Sequence, residues 1–89
     1  MAKYEAVFLF KQEEKTSQKI IEALFKGAKA KVVKKEDWKV KDLAYPIRKQ
    51  TQAHYWFYII ELEPQNLPIL YAKIKLEERV LRSLIIKIK

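Results

Sequence analysis

Few groups in this chain are chemically reactive. His54 is the sole histidine, Ser17 and Ser83 are the only serines, and cysteine is absent. Six of the 11 acidic residues fall in adjacent pairs: Glu13-Glu14, Glu36-Asp37 and Glu77-Glu78. A histidine that acts as base or metal ligand needs partners gathered around it. No cysteine or carboxylate cluster flanks His54 in the sequence, so it reads as a packing or hydrogen-bonding residue. Neither serine has a histidine in register to activate it. The acid pairs lie beside lysines or arginines and read as solvated local charge balance. Without cysteine there is no disulfide, thiolate nucleophile or sulfur metal site. The single glycine rules out a glycine-rich phosphate cradle. The expectation is a protein with no catalysis, no cofactor, no metal and no small-molecule substrate.

Positive charge is what the chain has in quantity. Lys and Arg number 19 against 11 Asp and Glu, a formal net charge of +8 over 89 residues. Such an excess suggests an anionic partner, nucleic acid before a membrane surface. No apolar run approaches the roughly 20 residues of a membrane span, and the first residues show no signal-peptide core. A cytoplasmic protein with no membrane partner is expected, built as one domain over 1–89.

These groups must be positioned by elements that the pattern makes legible. Residues 4–10 form an apolar, aromatic-rich run that predicts a strand. Thr16 is a candidate N-cap. Ile20, Ile21, Leu24, Phe25 and Ala28 then recur at helical spacing, with Gly27 as the stop. Residues 31–39 and 40–47 read together as one long, irregular edge strand. Residues 53–63 are the clearest strand, apolar on both faces and ended by Pro64. Asn66 is a candidate cap for a second helix with Pro68 in its first turn. Leu67, Leu70, Tyr71 and Ile74 supply its apolar stripe. Residues 80–88 predict a last strand.

The order is βαββαβ. Right-handed crossovers put the first and third strands at the centre of a four-stranded antiparallel sheet, with both helices on one face. This is an α+β, ferredoxin-like sandwich. Alternation places Ala6, Phe8 and Phe10 on one face and Val7 and Leu9 on the other. It likewise separates Trp56, Tyr58, Ile60 and Leu62 from Tyr55, Phe57 and Ile59. Helices cover one face, so the other leaves an apolar, aromatic patch for a partner unless a hairpin or a second copy covers it.

Enzymes and RNA readers also use this topology. An acylphosphatase needs an arginine in the loop after the first strand and an asparagine on the third strand. Here that loop is Lys11-Gln12-Glu13-Glu14-Lys15, and the only asparagine, Asn66, precedes the second helix. An RNA recognition motif stacks bases on its open sheet. The run His54-Tyr55-Trp56-Phe57-Tyr58-Ile59 has the aromatics but lacks the basic-glycine pair of that motif. A stand-alone module of this kind, binding single-stranded RNA, is the alternative reading.

One segment is more specific. Leu43-Ala44-Tyr45-Pro46-Ile47 runs into Arg48-Lys49 and then the aromatic strand. Proline confines such a run to an edge or a bulge, because it has no N–H for the ladder. The pentapeptide, with Tyr4-Glu5 at the start and residues 80–87 at the end, resembles the family of bacterial small-subunit ribosomal protein six. The resemblance covers essentially the whole chain. It implies a structural constituent of the small ribosomal subunit that pairs with ribosomal protein eighteen and binds small-subunit ribosomal RNA. By that implication and strand geometry, the RNA contacts are expected at Lys3, Tyr4, Arg79, Arg82, Lys87 and Lys89, with Arg48 and Lys49 at the hairpin. The protein-partner interface is expected at Leu43, Tyr45, Pro46, Tyr55, Phe57 and Ile59. The sequence departs from the family pattern in places. Asp42 precedes the pentapeptide, Ala53 stands for a hairpin glycine, and Lys29 stands for the glycine before the second strand.

Overall fold

The computed structural model describes residues 1–88. Four strands, β1 (Ala2–Phe10), β2 (Lys31–Ile47), β3 (Gln50–Leu62) and β4 (Val80–Lys87), form an antiparallel sheet in the order β2-β3-β1-β4. Helices α1 (Ser17–Gly27) and α2 (Leu67–Leu76) supply the two crossovers. The first and third strands are central, as the connectivity requires. Neither helix is long and apolar enough to cross a membrane.

The helix-covered face carries the core. Tyr4, Ala6, Phe8 and Phe10 of β1 lie opposite Ile60, Tyr58, Trp56 and His54 of β3. All but His54 are buried, against Ile20, Ile21, Leu24 and Phe25 of α1 and Leu70 and Ile74 of α2. Phe8, Phe25 and Tyr58 meet edge-to-face at centroid separations of 5.1 to 6.4 Å, the arrangement that aromatic quadrupoles favour.

The helix ends differ from the sequence reading. Thr16 accepts the Ile20 N–H on its carbonyl, but its hydroxyl donates to Glu14 (2.7 Å) and caps nothing. Helix α1 does end at Gly27, as the sequence reads, but that glycine is itself helical and the left-handed closing residue is Lys29, at φ 60°. The Lys29 N–H reaches the Lys26 carbonyl and the Ala30 N–H reaches the Phe25 carbonyl. That bond pair is a Schellman cap, which favours glycine at the left-handed residue, and lysine occupies it here. Asn66 does not cap α2. It ends a 3-10 turn, Pro64–Asn66, in helical backbone with no side-chain bond to the helix. Tyr71 is exposed, so the apolar face of α2 reduces to Leu70 and Ile74, with Leu67 half-buried at its start.

Candidate protein and nucleic-acid interface

On the face without helices, β2 leaves its ladder before the hairpin. Asp42 pairs with Gln52 and Ile47 with Gln50, so residues 43–46 have no β3 partner. Pro46 accounts for part of this, having no N–H to contribute. Leu43 and Ile47 instead pack with Leu9, Ala53, Leu81, Val7 and Tyr55 into a second, small apolar cluster. Residues 43–47 therefore arch over one end of the open face. The arch, β1, Tyr55 and residues 82–84 of β4 enclose a cleft of about 540 Å³. Tyr45 on its lining is 81% exposed.

The turn that fixes the arch is Arg48-Lys49, with φ of 49° and 66°. Two left-handed residues between paired strands make the tight hairpin whose twist suits a sheet. Ala53 is not the hairpin's strained position: it sits inside β3, fully buried. The Arg48 guanidinium donates to the Glu78 carbonyl at 2.7 Å, tying the turn to the loop before β4.

Farther along the open face, Trp38 lies parallel to Phe57, with centroids 4.9 Å apart and planes 4° apart. The Lys41 ammonium stands 5.2 Å from the Trp38 ring centre and 6.0 Å from that of Tyr55. Glu36 accepts the indole N–H at 2.9 Å. Sequence reasoning missed Trp38. The signal available was a lone tryptophan on an edge strand that has an aromatic strand beside it. Of the predicted partner residues, Leu43 and Tyr55 are half-buried at the cleft, and Tyr45 and Pro46 are exposed there. Phe57 and Ile59 lie outside the cleft on the same face, and one side of the Phe57 ring is covered by Trp38.

The predicted RNA residues do not form one patch. Lys3 and Lys87 share one end of the sheet, where Ile88 donates its N–H to the Lys3 carbonyl. Their side chains project from opposite faces, since Lys87 pairs with the inward-facing Tyr4. Tyr4 itself is only 4% exposed and belongs to the core, so it cannot stack on a base. Arg48, Lys49, Arg79 and Arg82 lie at the other end, six strand residues or about 20 Å away. Arg79 is held by Glu77 through its Nε (2.7 Å) and Nη2 (2.9 Å). That pairing, ahead of the opposing effect of burial, holds the Glu77 carboxyl below its ordinary value. Arg82, opposite Leu9, stands on the cleft wall. Lys89 lies outside the described residues.

Two of the groups first considered for chemistry, Ser17 and His54, have structural partners. Ser17 accepts the buried Trp56 indole N–H at 2.9 Å. His54 Nε2 lies 2.6 Å from an Asp37 carboxylate oxygen, and its ring stacks on Trp56 at 5.1 Å. Partial burial pushes the Asp37 carboxyl up, but hydrogen bonds from His54 and Lys39 outweigh it and hold the group below its ordinary value. This pair joins β2 to β3.

Residues 3–87 match the protein family described as ribosomal protein S6. The chain belongs to the ribosomal protein S6 family. Small ribosomal subunit protein bS6 of Methylobacterium sp. (strain 4-46) is 40% identical over 99% of this chain and 69% of its own length. That of Rickettsia canadensis is 32% identical over 98% of this chain and 76% of its own length. The crystal structure of 30S ribosomal protein S6 from Thermotoga maritima superposes with a TM-score of 0.82 at 19% identity. It covers 98% of this chain and 87% of the other. The fold is thus the ferredoxin-like sandwich of ribosomal protein S6. A ribosomal protein S6 is a structural, non-enzymatic component of the small subunit, which agrees with His54 and Ser17 being given over to packing and hydrogen bonding.

Proposed function

We propose that this protein is a scaffold of the small ribosomal subunit in the cytoplasm, binding small-subunit ribosomal RNA as half of a heterodimer with ribosomal protein eighteen. The observation that carries the reading is the uncovered face of the sheet. It holds an apolar cleft with Tyr45 almost fully exposed at its lining and Leu84 and Ile86 exposed beside it, the kind of contiguous apolar surface on which a protein partner docks. RNA contacts fall to cations free to meet phosphates: the exposed Lys3, Lys49 and Lys87. Lys89, outside the described residues, is retained from the sequence alone. Arg48 and Arg79 are committed within the chain. Neutralising one lysine that binds a phosphate lowers the magnitude of the salt slope by about 0.7 to 0.9.

The stacking-platform alternative is disfavoured by Trp38, which occupies one side of the Phe57 ring where a base would lie. Co-sedimentation with small ribosomal subunits tests the assignment. The protein is expected to remain bound through a high-salt wash. Complete release in that wash, with no subunit assembled around it, would remove the scaffold role.

A further inference from the structure

The chain has three arginines, and the fold treats them differently. Arg48 donates to a backbone carbonyl and Arg79 is held by a carboxylate. Among the described residues, the Arg82 side chain has no hydrogen-bond or ion-pair partner. It is also the sole charged residue among those lining the cleft, beside Val7, Leu9, Leu43 and Tyr55. The apolar surface continues from there: Leu84 and Ile86, on the same face of the edge strand β4, are 56% and 50% exposed. Because β4 pairs only with β1, its outer backbone is open to another strand.

We propose that the cleft receives an extended segment of the protein partner, seating an apolar side chain between the arch and β4 and presenting a carboxylate to Arg82. The inference rests on the protein-partner reading above and assigns Arg82 to that interface rather than to RNA. Charge complementarity carries it. Any protein docked here takes Arg82 out of water, and a desolvated guanidinium without a counter-charge costs more than the adjoining apolar burial returns. The partner must therefore bring an acceptor. The planar fork of five N–H donors matches the two oxygens of a carboxylate. An RNA phosphate could supply oxygens too, but it would leave the apolar walls and the exposed Leu84 and Ile86 unfilled.

Titration calorimetry of the full chain with purified ribosomal protein eighteen tests this. Arg82→Gln is expected to weaken binding 10- to 100-fold, the range for a charge-assisted hydrogen bond. Its melting temperature should be unchanged, since the side chain is exposed. Arg82→Lys should recover only part of the loss, because an ammonium lacks the fork. One amide substitution at a partner carboxylate should weaken wild-type binding yet add nothing on top of Arg82→Gln. Wild-type affinity in Arg82→Gln overturns the proposal, leaving the heterodimer intact. So does a loss of RNA affinity and salt slope with partner affinity unchanged, which would mark a phosphate-binding role. A wild-type chain that does not bind ribosomal protein eighteen overturns the partner reading and this inference together.

Discussion

Tyr58 shows how one atom departs from the logic around it. Its ring sits at the centre of the core, yet its hydroxyl is buried with no hydrogen-bond partner among the described residues, and burial drives the phenol well above its ordinary pKa. An unsatisfied buried hydroxyl costs on the order of 1 to 3 kcal/mol. Tyr58→Phe is therefore expected to leave stability unchanged or raise it by about 1 kcal/mol in urea unfolding, where a hydrogen-bonded tyrosine would lose stability. A decrease exceeding about 1 kcal/mol would show that the hydroxyl has a partner. The burial of Tyr58 was legible from strand alternation; its lack of a partner was not, because that depends on where Phe8, Phe25 and Trp56 place their rings. The same limit applies to the cations. Arg79 and Arg82 are three residues apart and look alike in sequence, but Glu77 takes the first and the cleft wall exposes the second.

Among the elements, periodicity settled the helices and strands because each buries one face, and a stripe of Ile20, Ile21, Leu24 and Phe25 has nowhere else to go. Ends were harder to read. Thr16 and Asn66 have the right chemistry for caps, but Glu14 takes the first hydroxyl and a 3-10 turn absorbs the second residue. Lys29 is where sequence and backbone disagree most usefully. A left-handed non-glycine residue costs roughly 1 to 2 kcal/mol, and the Schellman bonds at Phe25 and Lys26 hold it there. Lys29→Gly is expected to raise stability by about 1 kcal/mol, less the extra freedom glycine gives the unfolded chain. An unaltered or lower urea midpoint would mean that the lysine side chain makes interactions that offset the strain. The arch at 43–46 was legible as a proline-marked edge, but its fold onto the open face depends on Leu9, Ala53 and Leu81, which are distant in sequence.

Across the whole molecule, surface carboxylates set the acid limit. Asp37, Glu14, Glu36 and Glu77 are all held below their ordinary values by hydrogen bonds. The folded state then binds fewer protons than the unfolded one near and below about pH 4, so stability falls as pH drops through that window. Asp37→Asn should flatten the low-pH decline in melting temperature; an equally steep decline would remove the Asp37–His54 pair from the account. At this scale the sequence was most informative. Charge and length point to an anionic partner and a single domain, and the pentapeptide to the ribosomal protein S6 family, without any tertiary geometry, whereas the division of the cations between two sheet ends follows only from strand register. That division bears on RNA affinity, since only part of the +8 charge can meet one surface. Non-specific binding by a basic protein lies around 10⁻⁴ to 10⁻⁶ M at physiological salt. The most direct test is the affinity of the protein for small-subunit RNA, measured alone and with ribosomal protein eighteen. Weak binding in that range alone, rising steeply when the partner is added, is the predicted result. Nanomolar binding of a short single-stranded RNA by the isolated protein, requiring Tyr55 and Phe57, would contradict it.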